Sequence, residues 1–509
     1  MTANMPKQFL RILRIILKFL RACVKINKEL QFCNRIVSFV LLFLCLKKSK
    51  ENRGERMFND TIAAISTARG KGGVAMIRIS GPDALCVLDR VFLGKVSEVR
   101  KCYYGSLVRD GEIIDDVTAT YFKAPASYTG EDVCEICCHG GLYVTQAVLE
   151  AVLSSGARMA GAGEFTKRAY INGKLTLSRA EAVGLVIDAT NDAQLRLSSS
   201  LQRGTLSKRL EELKGELLAL LARAYVIVDY PDEELPELER EEMSEALQKI
   251  RASLEALKKT ERASRAVCEG IVSAIVGRPN AGKSSLYNLL SGEELAIVTD
   301  IAGTTRDVIE HTVSVGDVTL RLADTAGIRD TADTVEKIGV DRARARLNDA
   351  ELVLCVFDAG EVENNEDALI LSLASEKSAI AIINKTDAER KMSQEFEAQI
   401  KAKIPRVVYM STKSGEGLDD LARELSSMYA LDEINLSSDA IILGARQASS
   451  VGVALSRLDE ASELLKMGQS PDIVCFALEG ALGALDEIDA RAISEQIVDQ
   501  IFSRFCVGK

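Results

Sequence analysis

The sequence predicts a multidomain chain of mixed class, α+β and α/β. A mixed α/β N-terminal domain is followed by a helical domain split in sequence, with an α/β domain inserted into it. Three observations predict this. The chain has 509 residues, too many for one hydrophobic core. Short apolar runs at 271–276, 353–357 and 380–383 read as buried strands. Apolar residues at helical spacing fill 178–189, 193–228 and 243–267, broken at Pro231 and Pro236, and again 440–466 and 470–505. The expected boundaries are 57–173 for the N-terminal domain, 174–269 with 430–509 for the helical domain, and 270–429 for the insertion.

Residues 1–56 stand apart. They carry about ten excess positive charges in a chain of net charge −10, so the remainder is more acidic than the total. The apolar run 36–46 is short of the roughly 20 residues that span a bilayer, and no small-residue cleavage site follows it. A stable membrane span is therefore not expected. One reading of 1–56 is an amphipathic surface helix. The favoured one is translated upstream sequence outside the folded protein, with Met57 as the start, because a globular pattern begins at once in 58–65. The acidic body argues against a purely electrostatic nucleic-acid binder, and the absence of Trp removes one kind of stacking platform. Twelve cysteines without a regular framework read as reduced thiols of a cytosolic protein.

Within 57–173, segments 75–79 and 117–122 read as strands among glycine-rich turns. The run from Cys134 to His139 offers one CxxC without a second pair, and strand alternation puts Cys134 and Cys137 on opposite faces, so a zinc site is not expected.

The insertion carries the strongest motifs. Gly277 to Ser284 reads GxxxxGKS between a strand and a helix. Its backbone N–H groups, including those of Asn280, Ala281, Gly282 and Ser285, curl around phosphates; Lys283 reaches the β- and γ-phosphates and Ser284 ligates Mg2+. Ile301, Ala302, Gly303, Thr304, Thr305, Arg306 and Asp307 form a candidate first switch, with Thr305 as second Mg2+ ligand, and Thr299 and Asp300 just before it join the expected GTP-binding residues. Asp324, Thr325, Ala326 and Gly327 form DxxG, which holds Mg2+ through water and senses the γ-phosphate. Asn384, Lys385 and Asp387 form NKxD, whose carboxylate accepts from guanine N1 and N2, and Ser411, Thr412 and Lys413 lie over the base. Adenine matches neither pattern. In this order the motifs define a Ras-like P-loop G domain that binds GTP with Mg2+ and cleaves it.

The catalytic group is less direct. Ile328 occupies the place of the water-orienting Gln after DxxG, and no arginine finger is evident in cis. Glu336 reads either as a carboxylate that orients water or as a solvated charge on a loop.

Outside the G domain, Arg78 to Gly81, Tyr128 to Asp132, His139 to Gly141, Gly163 to Ala169, Asp229 to Glu234 and the terminal Phe505 to Lys509 resemble the MnmE (TrmE) family of tRNA-modifying GTPases, over about 58–509. The resemblance implies a homodimer that works with an MnmG (GidA)-like FAD protein as a heterotetramer. It implies addition of a carboxymethylaminomethyl-type group to C5 of the tRNA wobble uridine, using a one-carbon unit from a tetrahydrofolate derivative. It further implies K+ held by Asn280, Thr299, Ile301 and Thr304 in place of an arginine finger, and Glu336 as catalytic glutamate. The N-terminal domain becomes the folate-binding and dimerisation domain, with Arg78, Glu135, Lys174 and Lys509 around the folate. Cys506 reads either as a nucleophile or as part of the seat of the tail, and no activating base is visible beside it in the sequence. The alternative class is a regulatory RNA-binding GTPase without group transfer.

Overall fold

The computed structural model describes residues 59–229, 237–292, 311–322, 350–489, 495–503 and 505–508. The extension 1–56 lies outside them. The chain divides into two compact units, the first holding 59–63, 69–121 and 132–159, the second 64–68, 122–131 and 160–508.

The first unit is built on a sheet of order β3-β4-β5-β2-β1-β6: β1 Ile62–Ile65, β2 Val74–Ser80, β3 Cys102–Arg109, β4 Glu112–Phe122, β5 Val133–His139 and β6 Arg158–Met159. Helices α1, Ala84–Val91, and α2, Leu142–Ser154, pack on β5, and α2 also on β2. Alternation explains the two faces. Ala75, Ile77 and Ile79 of β2 and Cys134, Ile136 and Cys138 of β5 are buried, while Met76, Arg78, Glu135 and Cys137 point to the more open side. β2 and β5 run antiparallel, with Arg78 opposite Glu135 and Met76 opposite Cys137.

The second unit begins with α3, Glu164–Ile171, followed by α4, Leu177–Asp188; α5, Asp192–Gln202; α6, Thr205–Asp229; and α7, Glu237–Cys268. The single helix expected over 193–228 is two: the chain turns at Gly204, whose φ of +83° suits glycine and ends α5. Leu206, Leu210, Leu213 and Leu217 form the buried stripe of α6; Leu247, Ile250 and Leu254 form that of α7. After the insertion, α12, Gly444–Lys466, packs on α7 and on α13, Pro471–Asp489, which packs on α6; α14, Glu495–Phe502, follows.

The insertion is a sheet of order β12-β11-β10-β7-β9-β8: β7 Ile271–Val276, β8 His311–Val315, β9 Val318–Leu322, β10 Leu352–Asp358, β11 Ala379–Asn384 and β12 Val407–Tyr409. Among the described strands of this sheet, only the β8–β9 pair is antiparallel. Every residue of β10 and β11 is buried, as central parallel strands require. The described helices here are α8, Lys283–Leu290; α9, Asn365–Ala374; α10, Gln394–Lys403; and α11, Leu418–Met428. The β8–β9 hairpin is tied to the helical part by a polar network: Gln194 Nε2 donates to Val267 O at 2.9 Å and Thr319 Oγ1 at 3.2 Å, and Asn191 Nδ2 to Ser314 Oγ at 2.9 Å.

Candidate functional site

The phosphate loop leaves the C-terminal end of β7, between its neighbours β10 and β9. Ligands of open parallel sheets collect at such strand ends. Asn280 takes φ +63° and Gly282 φ +107°, so the loop curls before α8 starts at Lys283. A Cβ at position 282 would collide with Asn384 Nδ2. Lys283 Nζ donates to Arg278 O at 2.8 Å, arching over its own loop. Ser284 and Ser285 are exposed in the first turn of the helix, an end whose N–H groups and dipole favour an anion.

Asn384 joins this loop to the expected purine end. It is fully buried; its Nδ2 donates to Ala281 O at 2.9 Å and its Oδ1 accepts from Thr412 N at 3.1 Å. A single amide therefore sets the spacing between the P-loop and the loop after β12. Asp387 is exposed and accepts from Ser411 Oγ at 2.7 Å. That hydroxyl, first among the causes, holds the Asp387 carboxyl below its ordinary range, with help from the charges of Lys413 and Lys385. An ionised acceptor facing solvent is what guanine N1–H and the 2-amino group require. Thr412 and Lys413 follow Ser411, which is itself buried.

Two residues not singled out in the sequence brace this site. Arg278, inside the P-loop motif, is buried; Nη1 donates to Val362 O at 3.0 Å and pairs with Asp367 at 3.3 Å, and Nη2 pairs with Glu361 at 3.0 Å. Asp358, the last residue of β10, holds Lys385 Nζ at 2.6 Å. A charged residue at a variable position of GxxxxGKS is the signal that could have marked Arg278; Asp358 ends an apolar strand, a weaker sign.

Thr299, Asp300, Ile301, Ala302, Gly303, Thr304, Thr305, Asp324, Thr325, Ala326, Gly327, Ile328 and Glu336 lie outside the described residues. Of the expected metal ligands, Ser284 and Asn280 are described and both lie on the P-loop and the helix it enters.

In the first unit, Arg78 and Glu135 form a half-buried pair on the open face of the sheet, Nε to Oε1 2.9 Å and Nη2 to Oε1 2.9 Å. Met76 and Cys137 flank it along β2 and β5. Cys134 and Cys138 lie on the opposite face; burial pushes both thiols up, that of Cys138 to about 11.

In the second unit, Lys174 Nζ donates to Pro125 O at 3.0 Å, and its stem passes close to Gly130. Two sequence motifs meet here. Arg168 is fully buried and pairs with Glu164 at 2.9 Å and Glu131 at 3.2 Å, while Tyr128 and Thr166 share a hydrogen bond of 2.9 Å. The same region seats the tail: Gly163 N donates to Cys506 O at 3.3 Å, Val507 bridges to Ala162, and Ser66 Oγ donates to Gly508 O at 3.0 Å. Cys506 itself is exposed. Lys509 and 230–234 of the Asp229 motif lie outside the described residues.

Two family models match the chain: the GTP-binding protein TrmE N-terminus over residues 61–174 and the MnmE helical domain over 177–506. The tRNA modification GTPase MnmE of Listeria innocua is 40% identical over 455 residues, 88% of this chain and 99% of that protein. The same-named protein of Acetivibrio thermocellus is 38% identical over 458 residues, 88% of this chain and 99% of its own. The crystal structure of the T. maritima FeoB G domain is 28% identical and covers 31% of this chain and 98% of its own, with a TM-score of 0.23. With a P-loop and the loop after β12 held together by one buried amide, and with relatives matched along nearly their whole length, the chain belongs to the MnmE family of tRNA modification GTPases.

Proposed function

We propose that this GTPase is K+-dependent and acts, with an MnmG-like flavoprotein, to add a carboxymethylaminomethyl-type group to C5 of the tRNA wobble uridine, drawing one carbon from a tetrahydrofolate derivative. The domains assigned to this work are 57–173 for folate and dimerisation, 174–269 with 430–509 as one helical domain, and 270–429 as the G domain. The observation that carries the reading is the joint held by Asn384, which sets a phosphate-binding loop and a carboxylate base reader at a fixed span. A site built to pair guanine leaves polar groups unpaired against adenine.

Mg2+ and K+ would neutralise charge on the β- and γ-phosphates as the bond to the leaving group breaks. Ser284 and Thr305 are the proposed Mg2+ ligands; Asn280, Thr299, Ile301 and Thr304 the K+ ligands. The donor set fits: an exposed hydroxyl at Ser284 and an amide at Asn280, both oxygen ligands of the kind hard cations take. Glu336 is the proposed carboxylate that orients water. The half-buried Arg78–Glu135 pair supports the folate assignment, since it presents a cation and a carboxylate side by side, suited to a ring bearing donors and acceptors. Lys174 and Lys509 complete the set by resemblance. Cys506, exposed on a seated tail, is available for chemistry as well as for anchoring. Among the described residues no helix is long and apolar enough to cross a membrane, and a cytoplasmic location is part of the proposal.

Two measurements test it. GTP turnover is expected to rise sharply when Na+ is replaced by K+ at equal ionic strength; equal rates would remove the cation from the mechanism. Mass spectrometry of tRNA from cells lacking the protein is expected to show an unmodified wobble uridine. An unchanged nucleoside would leave a regulatory RNA-binding GTPase as the better description.

A further inference from the structure

Lys385 belongs to the base-reading motif, yet its amine is held from behind by a residue of another strand. Asp358 ends β10 directly beside Asn384 in the parallel register of β11, and Ala359 N donates to Asn384 O at 2.9 Å. The Asp358 side chain is 1% exposed, and both its oxygens are used: Oδ1 accepts from Gly360 N at 2.8 Å and Oδ2 from Lys385 Nζ at 2.6 Å. A carboxylate buried this deeply stays in place only with such partners. Lys385 has φ +63°, a conformation non-glycine residues seldom adopt, so its side chain leaves the strand end in a direction the backbone has fixed. Lysine is otherwise a long, rotamer-rich chain whose ordering a ligand would have to oppose. With Nζ tethered, its four methylenes form a fixed apolar strip in the loop that also carries Asp387.

We propose that Asp358 is a positioning residue for guanine-nucleotide recognition: by anchoring the amine of Lys385 it pre-forms one wall of the purine slot before nucleotide arrives. Its effect lies in binding. GTP and GDP share the purine, so both lose affinity alike when the tether is cut, and the hydrolytic step, which takes place at the other end of the nucleotide, is untouched.

Asp358→Asn keeps the size of the side chain and an acceptor for Gly360 N–H but removes the charge that holds Lys385. In the full-length protein, KM for GTP and Kd for a fluorescent GDP analogue are expected to rise together by about tenfold, with kcat at saturating GTP within about twofold of the parent. In a Lys385→Met background, where no amine remains to hold, adding Asp358→Asn is expected to weaken GDP binding no further. Equal losses in both backgrounds, or a fall in kcat at unchanged KM, would overturn the proposal. Should Asp358→Asn fail to fold, Lys385→Arg and Lys385→Met decide between them. Arginine can still pair with Asp358 and is expected to bind GDP better than methionine does; equal weakening would show that the tether contributes nothing.

Discussion

Asn384 shows how little room the nucleotide site leaves for change. Its amide lies against Gly282, so Gly282→Ala combines a methyl group in a left-handed position with a collision on that amide. KM for GTP is expected to rise at least about tenfold, since the left-handed penalty alone is of that order; steady-state kinetics with the purified variant would show it. Ser411 offers a pH test. The folded-state pKa of Asp387 lies below its ordinary value, chiefly through the Ser411 hydroxyl, so the ionised acceptor persists as pH falls and is lost only on passing through the depressed pKa. Ser411→Ala is expected to move the acid loss of GDP binding to higher pH, with little change at neutrality; superimposed pH profiles of parent and variant would contradict this. Residues of this kind differ in legibility. Asn384 and Gly282 sit in contiguous motifs. Asp358 and Arg278 are defined by partners on other elements, Lys385 and Asp367, and a linear pattern does not bring those together.

At the scale of elements, polar clusters fix how helices meet. Glu181 of α4 is partly buried and accepts from Arg446 of α12 at 3.0 and 3.1 Å and from Gln447 at 2.8 Å, while Ser178 Oγ donates to Asp489 of α13 at 2.5 Å. Desolvation pushes the Glu181 carboxyl up, and Arg446 opposes it. Arg446→Met leaves that carboxylate buried without its cation, a loss of about 3–5 kcal/mol by the behaviour of broken buried pairs. The sign with pH follows: a carboxyl whose folded pKa is raised binds more protons folded than unfolded, so stability falls as pH rises through the carboxylate range. The variant is thus expected to melt lower than the parent at pH 8 and to recover part of the gap at pH 5. A pH-independent gap would mean that Glu181 is not the source. The Gln194 network between α5 and the β8–β9 hairpin is another such joint, reaching Val267 and Thr319. Helical spacing predicted the helices, though not these joints nor the turn at Gly204 that splits 193–228. Polar residues on an amphipathic helix look alike in sequence whether they face water or a neighbouring helix.

For the whole molecule, the resemblance to the MnmE family further implies that the G domains of two copies meet around K+, and we propose that turnover depends on that meeting, in addition to the dimer contact assigned to 57–173. Specific GTPase activity in K+ is then expected to rise with protein concentration in a preparation diluted toward dissociation, and a flat dependence would place the whole catalytic site within one copy. The fold class and the nucleotide specificity were legible in the chain itself. Strand runs, helical spacing and the motifs from Gly277 to Lys413 are local patterns, and their chemistry follows from residue type and short separation. The proposed folate role of Arg78 and Glu135 was reached only through resemblance, because the two are 57 residues apart and become neighbours when β2 and β5 pair. Tertiary structure alone decided that Asn384 joins the P-loop to the loop after β12, that Asp358 tethers Lys385, and that Arg168 is buried between Glu131 and Glu164. Each of these depends on a charged or amide group withdrawn from water, and burial is a property of the packed chain, set by what distant segments bring to the same place.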